Sequence, residues 1–179
     1  NGEATIAMDN QQLEIEFRDV SFTYPNTDNV VLDHLSFTIR SGEKVALVGV
    51  NGAGKSTIVK LLLRLYEPSS GVIRINGIDY RNIDINAYRK CFAVCFQNIA
   101  HYALSLQENI ALSNIEKSID MDKIVEVARQ SGLAELYEGW DEKLQTSMSR
   151  DFDSNGVNLS GGQWQKVGIA RTFFRNAPF

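Results

Sequence analysis

Gly49, Gly52, Gly54, Lys55 and Ser56 stand at the spacing G-x-x-x-x-G-K-S, which is the spacing of a loop that wraps a phosphate group. The residue types follow from that chemistry. Glycine tolerates positive φ and lets backbone N–H groups approach an anion with no Cβ in the way. Those N–H groups, with the start of a following helix, make a concave and positive nest. Lys55 adds a full charge for the outer phosphates of a nucleotide, and the Ser56 hydroxyl is the hard oxygen that Mg²⁺ prefers. Asn51, Ala53 and Thr57 complete the loop and the first turn behind it.

The flanks agree with this reading. Lys44-Val45-Ala46-Leu47-Val48 is short, apolar and rich in valine, the pattern of a strand buried in a parallel sheet. Thr57–Tyr66 carries Ile58, Leu61, Leu62 and Leu65 at the spacing of one helical face. A second anion-binding arrangement is expected downstream. Leu159-Ser160-Gly161-Gly162-Gln163 precedes a helical pattern through Val167, Ala170, Arg171 and Phe174. Ser160 is a natural N-cap, and Gly161 and Gly162 leave their N–H groups open at a helix start.

At these residues the sequence resembles the ATP-binding cassette family, whose signature is the run LSGGQ seen at Leu159–Gln163. The resemblance covers about residues 13–179 and is strongest to the nucleotide-binding domains of exporters. It implies a role for further residues. Tyr24, in Phe22-Thr23-Tyr24-Pro25, falls where an aromatic ring stacks on adenine; on its own pattern it reads equally as a cross-strand ring packed on Phe22. Gln97 ends an apolar run, where a glutamine offers its carbonyl oxygen to Mg²⁺ or the attacking water. Glu108-Asn109-Ile110 and Ile169-Ala170-Arg171 match further family patterns.

The resemblance implies ATP and Mg²⁺ as ligands. Tyr24, Gly49, Asn51, Gly52, Ala53, Gly54, Lys55, Ser56, Thr57 and Gln97 would hold them from one domain and Ser160, Gly161, Gly162 and Gln163 from another. Catalytic weight falls on Lys55 and Gln97, and metal contact on Ser56 and Gln97. Implied partners are a second nucleotide-binding domain, met head to tail, and transmembrane domains, which places the chain at the cytoplasmic face of a membrane. The family's Mg²⁺-binding aspartate and catalytic glutamate have no counterpart: no apolar run ending in Asp-Glu occurs in the chain. The sequence starts at Asn1 and stops at Phe179, and reads as a piece of something longer. The 179 residues alone are expected to be unstable, or to bind ATP weakly and hydrolyse little.

The expected fold is α/β. It is a P-loop NTPase core of the RecA-like kind, with an N-terminal antiparallel β subdomain, an inserted α-helical subdomain and the last part of the core absent. Residues 1–12 read as a linker or tail, 13–97 as β subdomain and P-loop core, 98–158 as the helical subdomain, and 159–179 as signature and following helix. Strand candidates are Leu13–Phe17, Val20–Tyr24, Val30–Leu32, Leu35–Ile39, Val72–Ile75 and Cys91–Phe96, with a hairpin turn at Asn76-Gly77. Helices are expected at Ala87–Lys90, Ser105–Ala111 and Met121–Ser131, the last capped by Asp120 and ended by Gly132.

Composition narrows the function further. Charged residues make up 22% and the net charge is −4, with no long basic run, so nucleic acid is not an expected partner. No apolar stretch approaches the roughly 18 residues that span a bilayer. On a strand, Cys91 and Cys95 would lie about 13 Å apart, too far for a disulfide, so both are expected to be reduced. His34 and His101 have no partner at metal-ligand spacing and are expected at the surface; Trp140 and Trp164 are expected to pack. Two alternatives share these motifs: a soluble ATPase of the same family acting on DNA or ribosomes, and a non-hydrolysing regulatory module. The stretch between Ser56 and Leu159 has no heptads, which argues against the long coiled coils of chromosome-organising members.

Overall fold

The computed structural model describes residues 13–115 and 119–179. The expected linker at 1–12 lies outside the described residues. The chain divides between Phe92 and Ala93 into two compact units.

The first unit is built on a four-stranded antiparallel sheet of order β2-β1-β3-β4. Its strands are β1 (Ile15–Thr23), β2 (Val30–Ile39), β3 (Ser70–Ile75) and β4 (Ile78–Asp79). Alternation sets the buried face: Ile15, Phe17, Val20, Ile73 and Ile75 are all buried. Asn76 and Gly77 both take positive φ, so the two-residue turn between β3 and β4 is the primed type that the Asn-Gly pair favours.

Leu13–Phe17 and Val20–Tyr24, expected as separate strands, are one strand with a bulge, as are Val30–Leu32 and Leu35–Ile39. Asp19 (φ 55°) and His34 (φ 50°) are the bulged residues. The Asp19 N–H donates to Ser36 Oγ at 2.8 Å and the His34 N–H to Ser21 Oγ at 2.9 Å. His34 Nδ1 lies 2.8 Å from Asp19 Oδ1, which ties one bulge to the other. His34 is at the surface, as expected.

Two expected strands do not form. Lys44–Val48 takes no strand pairing, and Val48 is 93% exposed. A parallel strand exists only through its neighbours' ladder, and the strands of the only sheet among the described residues pair with one another instead. Cys91–Phe96 likewise takes no strand conformation, although the Ala93 N–H donates to Phe179 O at 2.8 Å. Cys91 closes helix α2 (Ile85–Lys90), Phe92 is buried beneath it, and Phe96 is half exposed. Neither cysteine forms a disulfide, and burial pushes the Cys91 thiol up from its ordinary pKa.

Helix α1 spans Lys55–Leu62, shorter than the Thr57–Tyr66 expected. Its apolar pattern runs on, but Arg64 turns to φ 52°. There its Nη1 donates to Ile83 O at 2.9 Å, and its guanidinium lies over the rings of Tyr80 and Tyr88. Leu65 is left half exposed.

The second unit is helical: α3 (Leu106–Ala111), α4 (Met121–Gln130), α5 (Ala134–Tyr137) and α6 (Gly161–Arg175). Local signals explain the starts. Asp120 accepts from the Lys123 N–H at the head of α4, and Gly132 follows its end at φ 73°. Ser105 and Glu108 form a capping box on α3, and hydrogen bonds from Ser105 lower the Glu108 pKa. Ile110, Ile124, Val127, Leu133, Trp164, Val167 and Phe174 close one core, with Trp140 packed at its edge. No described helix is long and apolar enough to cross a membrane.

Candidate functional site

Two of the three motif glycines before α1 take the left-handed backbone expected of them: Gly52 (φ 88°) and Gly54 (φ 81°) do, Gly49 does not, and Gly54 is the N-cap of α1. A Cβ at Gly54 would sit 2.7 Å from Leu32 Cδ2 and 3.1 Å from Val31 O, so only glycine fits beneath β2. Gly54 O accepts from the N–H groups of Thr57 (2.9 Å) and Ile58 (3.0 Å). The N–H groups of Lys55 and Ser56, in the first turn, have no helical carbonyl to meet, the kind of group that anions take at helix starts.

Lys55 Nζ donates to Gly49 O at 2.7 Å and Val50 O at 2.8 Å. The ammonium therefore lies along the same loop whose N–H groups the motif supplies. Asn51, Gly52, Ala53 and Ser56 are exposed. An exposed hydroxyl beside an ammonium and open N–H groups is a donor set that suits a polyphosphate and a hard cation.

Tyr24 is joined to this helix. Its hydroxyl lies 3.0 Å from Thr57 Oγ1, and Lys60 Nζ donates to it at 3.2 Å. Lys60 also sits 5.2 Å from the Tyr24 ring centroid. Tyr24 meets Phe22 and Tyr66 edge to face at 4.9 and 5.2 Å, so the cross-strand contact with Phe22 is present. Burial works against a phenolate here, but the hydrogen bonds of Thr57 and Lys60 and the Lys60 charge outweigh it, and the phenol's pKa falls below its ordinary value. Thr57 is buried, its hydroxyl engaged by Tyr24 and its N–H by Gly54. Lys60 was not among the expected residues; the only trace of it in the sequence is its position one turn after Thr57 on α1.

The remaining expected residues lie in the second unit. Gln97 is exposed at a bend. Ser160 caps α6: its Oγ accepts from the Gln163 N–H at 3.3 Å, while Gln163 Oε1 accepts from the Ser160 N–H at 2.7 Å. This capping box uses Ser160 Oγ and Gln163 Oε1 as acceptors. Gly161 and Gly162 are exposed with nothing within 4 Å of a notional Cβ, so the open groups at the head of this 15-residue helix are their backbone N–H groups. Trp164, next in the chain, is buried and stacks on exposed His101, with centroids 4.2 Å apart and planes 12° apart. Those two rings help line a cavity of about 330 Å³ that also touches Met148, Ser149, Asn158 and Leu159.

The sequence profile of the family described as ABC transporter matches residues 32–179. The chain belongs to the ABC transporter family. It is 40% identical over 163 residues to the subtilin transport ATP-binding protein SpaT of Bacillus subtilis, covering 91% of this chain and 26% of that protein. It is 41% identical over 164 residues to an ATP-dependent lipid A-core flippase of Coxiella burnetii, covering 92% of this chain and 27% of the flippase. Its fold matches a bacterial Atm1-family ABC exporter with ATP bound, at a TM-score of 0.86 and 30% identity, over 99% of this chain and 30% of the exporter chain. The chain thus spans about a quarter of the length of the curated relatives named here.

Proposed function

We propose that this chain is the ATP-binding part of an ATP-driven exporter, and that its two glycine-rich helix starts are the two halves of a shared nucleotide site. The observation that carries this is the loop before α1. It leads into a helix N-terminus with two left-handed glycines, a lysine whose ammonium lies on the loop's own carbonyls and an exposed serine, in a chain of the ABC transporter family. Similarity to a subtilin transport protein, to a lipid A-core flippase and to an Atm1-family exporter supports export as the task.

In this reading Lys55 and the N–H groups of the loop bind and neutralise the ATP phosphates. Tyr24, held by Thr57 and Lys60, offers its ring to adenine. Ser56 and Gln97 are the residues that would hold Mg²⁺, which when bound neutralises charge on the phosphate oxygens. Gly161 and Gly162 present N–H groups to the nucleotide of a second domain, with Ser160 and Gln163 keeping that helix start in shape. Two domains meeting head to tail would close on ATP and reopen after hydrolysis. Residues 98–158 would contact transmembrane domains at the cytoplasmic face of the membrane. None of residues 1–179 is assigned as the base that positions the attacking water.

The test is ATP binding by the full-length protein and its Lys55→Ala variant. Removing a charge-assisted contact costs about 1.5–3 kcal/mol, so ATP affinity should fall by roughly 10- to 150-fold. Unchanged affinity in Lys55→Ala would refute the assignment of the loop.

A further inference from the structure

Arg171 lies on α6, well beyond the Ser160–Gln163 turn, and is half buried. Its Nε donates to Asn109 O at 2.9 Å, its Nη2 to Asn109 Oδ1 at 2.7 Å, and its Nη1 to Ala100 O at 2.8 Å. Asn109 is fully buried, and its Nδ2 lies within hydrogen-bond reach of the carbonyls of Tyr102 (3.1 Å), Leu104 (3.0 Å) and Ser105 (3.0 Å). One guanidinium and one amide thus join α6, α3 and the loop that begins just after Gln97.

The guanidinium also lies close to aromatic rings. It is 5.2 Å from the Tyr102 ring and 5.9 Å from the Trp164 ring, and Trp164 in turn stacks on His101 at 4.2 Å. A planar fork suits this arrangement: it reaches three acceptors at fixed angles while its faces remain available for rings. A lysine would carry the charge but concentrate it at one point.

We propose that Arg171 is a positioning residue that makes the head of α6 and the segment following Gln97 one rigid piece. The N–H groups of Gly161 and Gly162 then meet a nucleotide in one orientation, and a displacement at Gln97 is passed to the α6 half-site without slack. The inference rests on the shared-site reading above.

Its test uses the full-length protein in lipid vesicles, with variants Arg171→Lys, Asn109→Ala and the pair together. ATP affinity, ATPase turnover per folded molecule and melting temperature are measured for each. A residue that only stabilises the fold would lower the melting temperature and leave turnover per folded molecule at the wild-type level. The proposal expects ATP affinity within about twofold of wild type, but turnover reduced about tenfold or more. The double variant should be no worse than the poorer single one, because both remove one shared interaction. Wild-type turnover in Arg171→Lys, or losses that multiply in the double variant, would overturn it. If Arg171→Lys fails to fold, wild-type turnover in Asn109→Ala overturns it alone. Absence of ATP turnover in the wild-type protein would instead bring down the function proposed above.

Discussion

Gly42, Gly52 and Gly54 have nearly the same backbone, with φ of 75°, 88° and 81°, but different surroundings. That makes alanine at each position a measurement of what the phosphate loop requires. Left-handed backbone costs an alanine about 1–2 kcal/mol, while stiffening the unfolded chain returns about 0.4–1 kcal/mol. Gly42→Ala and Gly52→Ala have open space around the new Cβ, so each should lose about 1.5 kcal/mol of stability or less. Gly54→Ala meets buried Leu32 Cδ2 at 2.7 Å and the Val31 carbonyl oxygen at 3.1 Å. Leu32 can yield only by leaving its rotamer, at about 0.5–1.5 kcal/mol, and the backbone carbonyl cannot yield so cheaply.

Gly54→Ala should therefore lose about 2 kcal/mol or more, or relax by turning the Lys55 and Ser56 N–H groups away from the loop. Denaturant titration separates stability from ATP affinity, measured alongside. Gly42→Ala should bind ATP like wild type, because Gly42 lies outside the loop; Gly54→Ala should lose affinity about tenfold or more. Equal stability and equal ATP affinity in all three variants would refute the reasoning.

Two further outcomes follow from the caps and the bulges. Ser160→Ala removes the hydroxyl that caps α6 and should cost about 1 kcal/mol; by the shared-site reading it spares ATP binding but weakens ATP-driven dimerisation, and equal dimerisation in light scattering would count against it. Hydrogen bonding to Asp19 raises the pKa of His34 above 6.5, assisted by the charges of Asp19 and Asp33. A raised pKa stabilises the fold below the unfolded value and loses that contribution as pH climbs through the folded value. Wild type should therefore lose stability relative to His34→Asn as pH rises from the ordinary histidine value of about 6.5 through the higher folded value; parallel denaturation midpoints above that pH would exclude the coupling.

Signals that act within one turn of chain were readable without the fold. Asp120 caps α4, Ser160 and Gln163 cap α6, and Asn76-Gly77 turns the β3–β4 hairpin. Each bond or dihedral involved depends on residues at most a few places apart. The left-handed conformations at Gly52 and Gly54 belong to the same class, because glycine supplies them without help from a distant partner. The family signature at Leu159–Gln163 was legible for the same reason: it is a helix start written in adjacent residues.

Tertiary structure decided whatever needed a partner far along the chain. Lys44–Val48 and Cys91–Phe96 have the composition of strands, but a strand is defined by the ladder beside it, and none is formed there. Two candidate strands fused into one twice over, because Asp19 and His34 find their bulge partners across the sheet. Tyr24 became tied to the loop's helix by hydrogen bonds with Thr57 and Lys60, and Arg171 found Asn109 and Ala100. Sequence alone therefore determined which residues have the types and spacing of a phosphate-wrapping loop; the packed chain determined which side chains hold those residues still, since such contacts join groups that no local pattern relates.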